Sequence, residues 1–126
     1  MGAYPRGSFH HKPRAQGRHQ EATGALFTDL RTYLKGSPCR AFMAPLDVFL
    51  DEGDAATVVE QDVLAVCDPG KISNEGIHGS PDFVAEVLSE SSTVRDLEIK
   101  KDLYERYGVR EYWIVHPDTG TVFHYT

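Results

Sequence analysis

Residues 81–101 read PDFVAEVLSESSTVRDLEIKK, and the fold turns on them. The first part, PDFVAEVLS (81–89), has the period-two alternation of a half-buried strand. Thr93 and Asp96 then have the spacing of a capping box, which predicts a helix running on to Gly108, where a left-handed C-terminal residue is wanted. VREYWIV (109–115) predicts a further strand, HPDTG (116–120) a turn, and TVFHYT (121–126) a closing hairpin arm. Strand, helix and strand in succession make a crossover unit.

Both the strand and the helix carry a charge where their pattern wants an apolar side chain. On a wheel of ~100° per residue counted from Leu97, Leu103, Tyr107 and Tyr104 fall at about 240°, 280° and 340° and form an apolar stripe. Lys100 falls at about 300°, inside that stripe, whereas Glu98, Asp102, Glu105 and Arg106 occupy the opposite arc. In the strand, Asp82, Val84, Glu86 and Leu88 share a face, so Glu86 has apolar neighbours on its own side. A lysine on such a stripe either lets its stem snorkel to water or reaches an anionic partner beneath the helix.

Upstream, TVVEQDVLAVC (57–67) predicts a strand whose alternation groups Val58, Glu60, Asp62, Leu64 and Val66, leaving Asp62 in an otherwise apolar row. CRAFMAPLDVFL (39–50) predicts another strand, with Pro45 at a bulge or edge position and DEGD (51–54) as the turn. DPGKISNEGIHGS (68–80) reads as a long loop. Ala22, Leu26, Leu30, Tyr33 and Leu34 recur at helical spacing between His19 and Lys35, and GSP (36–38) stops that helix. The order is αβββαββ, an α/β chain of the mixed α+β kind with a mixed sheet flanked by helices. Residues 1–17 read as a loosely ordered basic lead-in, and 18–126 as a single domain.

With 126 residues, 40% hydrophobic and 25% charged, the chain suits one soluble domain with a modest core. The net charge is −6, yet the first twenty residues hold Arg6, Lys12, Arg14 and Arg18 and no acid, so the remainder is more acidic still. That balance argues against a nonspecific nucleic-acid coat and leaves room for a local contact surface. No apolar run approaches the ~18 residues of a membrane span, and no secretory h-region is present, which points to a cytoplasmic protein. Cys39 and Cys67 form no CxxC pair and lie in apolar runs, so free buried thiols are expected. His10 and His11 read as part of a solvated tail.

Buried ionised groups cost several kcal/mol each unless paired or metal-bound, so an Asp, a Glu and a Lys in neighbouring elements call for a reason. One reading is a buried ion-pair cluster. The other is chemical: two carboxylates hold a hard divalent cation such as Mg²⁺, with Mn²⁺ as a substitute, while the ammonium positions a water or stabilises a pentacovalent phosphate. No glycine-rich phosphate loop, Ser-His-Asp spacing or HExxH occurs.

An Asp in one strand, a Glu in the next and a Lys nearby resemble the PD-(D/E)XK nuclease superfamily. More narrowly, PDFVAEVLS with RDLEIKKDLYERYGVREYWIV resembles the Uma family of restriction-endonuclease-like proteins, in which the lysine is displaced onto the helix after the strand. The resemblance spans roughly residues 18–126, including RHQ (18–20), VVEQDVLAVCD (58–68) and GVREYWIV (108–115). It implies a restriction-endonuclease-like core, DNA as substrate, Asp62 and Glu86 as ligands of Mg²⁺, and Lys100 as the group acting at the water or scissile phosphate. Glu86 and Ser89 match its Glu-x-x-Ser, Asp96 and Lys100 its Asp-x-x-x-Lys, and Tyr104 its helix tyrosine. Gln61 stands where the family has proline before the Asp. Family members also extend further at both ends.

Other candidates are accessory. Glu60, on the face of Asp62, is a candidate further ligand; the family keeps the pair His19 and Gln20, which would border the site, but a helix-start histidine making a local hydrogen bond is the favoured reading of His19; Asp82 suits a structural turn role in SPD. Trp113 and Tyr112 read as packing residues. Two-strand cleavage suits a homodimer. The competing reading is a non-catalytic interaction or regulatory protein on a nuclease scaffold.

Overall fold

The structure, a computed structural model, describes residues 13–51 and 57–126. Proline is tolerated in the first turn of a helix because its missing N–H has no intrahelical partner there. Helix α1 uses this, running from Pro13 to Tyr33, so the first helix begins six residues before the expected His19. The rest of the basic lead-in, His10 and His11 included, lies outside the described residues.

Two mixed sheets follow. Strands β1 (Arg40–Met43), β4 (Val63–Val66), β7 (Phe83–Val87), β8 (Glu111–His116) and β9 (Thr121–Tyr125) form a five-stranded sheet in the order β1-β4-β7-β8-β9. Strands β2 (Val48–Phe49), β3 (Val58–Val59), β5 (Ile72–Ser73) and β6 (Gly76–His78) form a second sheet, ordered β3-β2-β6-β5. The two long strands expected at 39–50 and 57–67 are each divided between these sheets. Pro45, preceded by a cis peptide, separates β1 from β2 and has no N–H for a ladder, and the chain bends at Asp62 between β3 and β4. The expected loop at 68–80 contains the β5–β6 hairpin after a 3₁₀ turn at Pro69–Lys71. Gly76 there adopts φ +142, and a Cβ on it would meet the Asp47 carbonyl at 2.2 Å, so only glycine lets β6 lie beside β2.

The crossover forms as its sequence dictates. Helix α2 runs from Val94 to Arg106, the Thr93 hydroxyl caps it by accepting from the Asp96 amide, and Gly108 follows with φ +79. Strands β7 and β8, on either side of α2 in sequence, pair in parallel. All four residues of β4 are buried, as are Val84–Val87 of β7, so both faces of the sheet centre are covered. Leu64 and Val66 pack with Val48 and Ile77 of the second sheet and with Leu50 just after β2, while Val84 packs with Tyr104, Tyr112 and Ile114. Helix α1 lies against β1, β4 and β7.

Antiparallel pairing of β1 with β4 sets Arg40 opposite Val66, and one step further Cys39 and Cys67 are joined by a disulfide. This corrects the expectation of free thiols. The two residues are 28 apart in sequence, and only strand register brings them together.

Candidate functional site

The site forms where β4 begins, where β7 ends, and where Lys100 reaches in from α2. Asp62 occupies the bend before β4, and Glu86 is the penultimate residue of β7. The Asp62 amide donates to Glu86 Oε1 at 3.1 Å, and the Val87 amide donates to Asp62 Oδ2 at 2.7 Å. Each carboxylate is therefore held by a backbone amide at or next to the other acid. Lys100 reaches down from α2 and donates to Glu86 Oε2. The arrangement brings together the three residues singled out by their misfit to pattern.

The three charges are not equally buried. The Glu86 side chain is 8% exposed, Asp62 25% and Lys100 39%, so Glu86 forms the floor and the ammonium faces the opening. Burial pushes the Glu86 carboxyl above the usual carboxylate range, against the pull of the Lys100 ammonium. An open polar cavity of about 390 Å³ lies over the cluster, bounded by Asp62, Glu86, Lys100 and His19 and by the serines after β7.

His19 enters from α1. Its Nε2 lies 3.0 Å from the Val87 carbonyl and 3.5 Å from Asp62 Oδ2. A carbonyl can only accept, so Nε2 carries the proton and donates to it. Neighbouring Gln20 points elsewhere: it is exposed and does not border the cavity. Ser89 and Asp96 do border it, and Ser89 exchanges hydrogen bonds with Ser91 and Ser92 in the turn before α2. Glu60 also borders the cavity, but a hydrogen bond shared with Asp47 raises its carboxyl pKa, with burial and the Asp47 charge adding to the effect. Tyr104 lies behind the site in the second core cluster, its hydroxyl beside the buried Gln61 and kept neutral by burial and by the Glu86 charge. Asp82 accepts from the Cys67 amide at 2.7 Å, a structural role made with a distant residue rather than within the SPD turn expected of it.

Reasoning from side-chain patterns missed the backbone of Val87, which serves both Asp62 and His19, because main-chain groups leave no mark in composition. It also missed Asp47 as the partner of Glu60, a pairing made by the division of the first long strand, and the lining serines Ser91 and Ser92.

Among the described residues no cluster of three or more His, Cys, Asp and Glu side chains forms a metal cage. The donor set present is two carboxylates beside an open polar cavity. That set fits Mg²⁺, which binds through one or two carboxylates and keeps several of its waters, better than a structural zinc.

No protein of curated function matches the chain. Among solved structures, a "putative nuclease belonging to DUF820" from Anabaena variabilis ATCC 29413 has the same fold, with a TM-score of 0.71 and 22% sequence identity over 97% of this chain and 69% of that one. No described helix is long and apolar enough to cross a membrane. The Uma2 family, described as "Putative restriction endonuclease", matches residues 3–126, and the chain belongs to that family.

Proposed function

We propose that the chain is a Mg²⁺-dependent endonuclease that hydrolyses DNA phosphodiester bonds at Asp62, Glu86 and Lys100. The observation that carries the reading is the meeting of two carboxylates and an ammonium from three elements beneath one open cavity. Asp62 and Glu86 are the residues that hold the ion. Bound there, Mg²⁺ supplies Lewis-acid stabilisation of phosphate charge and a water of lowered pKa.

The chain's own groups do the rest. Lys100, the most exposed of the three, directs its positive charge into the cavity, where it offsets charge developing on a phosphate and orients a water. His19 fixes the Val87 carbonyl, and the Val87 amide fixes Asp62, so the carboxylate is preorganised. Ser89, Ser91 and Ser92 place hydroxyl donors at the rim. The reading includes a homodimer, in which a two-fold pair presents one site to each DNA strand. A cytoplasmic location belongs to the same proposal, and the Cys39–Cys67 bridge weighs against it, because disulfides are rare in reducing compartments.

One observation favours a second reading. Both Glu86 oxygens already have partners, Lys100 and the Asp62 amide, as in a closed ion-pair network on a non-catalytic nuclease scaffold. Supercoiled plasmid separates the two. The nuclease nicks it with Mg²⁺ or Mn²⁺, and Lys100→Ala and Asp62→Ala proteins of unchanged fold do not. Full-rate nicking by those variants, or none by the wild type, refutes the assignment.

A further inference from the structure

A second groove, of about 710 Å³, runs between the end of α1 and strand β1. Arg31, Lys35 and Arg40 line it, as do Phe27 and Phe42, and no acidic residue takes part in the lining. In a chain of net charge −6, three cations with no carboxylate among them are a local reversal of sign. All three are exposed, and none forms a salt bridge with the described residues.

The rings brace the cations. The Arg31 guanidinium lies 5.9 Å from the Phe27 ring centroid and the Arg40 guanidinium 5.6 Å from that of Phe42. Phe42 also packs on the core of the second sheet, so its ring is not free to stack on a base. Guanidiniums held over aromatic faces lose less freedom when they bind, and their planar donor forks suit phosphate oxygens. The disulfide at Cys39 ties the strand that carries Arg40 to the end of β4.

Helix α1 carries residues of both sites, and the pairing of β1 with β4 links them a second time, which sets the distance between them. Arg40 pairs with Val66, four residues on from Asp62 at the bend before β4, or ~14 Å at a strand's rise. Arg31 is twelve residues along α1 from His19, or ~18 Å at a helix's rise. Charges on one DNA strand recur about every 3.4 Å of duplex axis, so spans of this length laid along the axis correspond to roughly four to five nucleotides.

Resting on the nuclease reading, we infer that the Arg31–Lys35–Arg40 groove is a duplex-DNA backbone site that grips phosphates about four to five nucleotides from the bond held at Asp62 and Glu86. It binds without reading sequence, because its donors address phosphate rather than base edges.

The test is fluorescence anisotropy of a labelled 20-base-pair duplex with the full chain in EDTA, over a range of salt, so that binding is read without cleavage. The Arg31→Gln/Lys35→Gln/Arg40→Gln protein, checked for fold by its melting curve, is expected to bind roughly tenfold or more weakly, with a log–log salt slope shallower by about 2 to 3. The single Arg40→Gln change should remove about one unit of that slope, and an Arg106→Gln/Arg110→Gln control should leave it alone. An unchanged Kd and slope in the triple variant, no binding by the wild type, or equal competition by poly-glutamate overturns the inference. Groove-dependent binding by a wild type that never nicks plasmid in Mg²⁺ sustains the groove and refutes the nuclease reading instead.

Discussion

Asp62 and Glu86 hold each other through the main chain: the Asp62 amide donates to Glu86 Oε1, and the amide following Glu86 donates to Asp62 Oδ2. A change at either acid therefore has two separable effects, one on the charge of the site and one on a hydrogen bond inside the fold.

Asp62→Asn and Asp62→Ala separate those effects. Asparagine keeps a side-chain oxygen for the Val87 amide, whereas alanine leaves that amide without its partner, at a cost of about 1–3 kcal/mol. Both variants should lose Mg²⁺-dependent nicking. Urea denaturation should show the larger stability loss in the alanine protein, and equal losses would mean that the reciprocal clasp contributes nothing.

Lys100→Met should abolish nicking at little cost in stability. Burial already pushes the Glu86 carboxyl up, and removing the ammonium removes the opposing pull, so the shift grows in the direction that favours the neutral form over a bare buried charge. The partly exposed lysine also contributes less than a fully buried partner does. A melting temperature within ~3–6 °C of wild type, which is about 1 kcal/mol for a domain of this size, is the expected result. A loss of several kcal/mol would instead mark Lys100 as structural.

The sign of the pH dependence follows from Glu86. Its folded-state pKa lies above the ordinary value of 4.5, so its contribution to stability is fully present below that value and is lost as pH rises through the folded pKa. In metal-free protein, denaturation midpoints of wild type should fall relative to Glu86→Gln as pH rises from 4 toward neutrality. Asp51 acts in the opposite sense. The Tyr107 hydroxyl lowers its pKa, with the Thr57 amide adding to the effect, so its contribution disappears as pH falls below 3.8. Parallel pH profiles for wild type and Glu86→Gln would contradict the burial argument.

Closure of the loop between Cys39 and Cys67 should stabilise the fold by about 3–4 kcal/mol through loss of unfolded-chain freedom. Thiol titration of denatured, unreduced protein should find no free cysteine, and reduction should lower the denaturation midpoint. Two titratable thiols in the unreduced protein would show that the bridge does not form.

The sequence made Lys100 conspicuous because a helix has one period and a single charge in its apolar stripe breaks it. Glu86 stood out in the same way against Val84 and Leu88. The β7–α2–β8 unit was legible for similar reasons, with its cap at Thr93 and its stop at Gly108. What could not be read depended on distant pairing. The division of two long strands between two sheets, the β5–β6 hairpin and the Cys39–Cys67 bridge are decided by register with partners far along the chain. Asp62 was found by an alternation that stops one residue short of it, since Asp62 sits in the bend before β4 rather than within a continuous strand.

Titration of Mn²⁺ into the protein, followed by loss of the free-ion paramagnetic resonance signal, asks most directly whether the paired acids are a cation site. Wild type should take up the ion and the Asp62→Asn/Glu86→Gln protein should not. Equal uptake by both, or none by wild type, would leave the carboxylates as an ion-pair network without a metal.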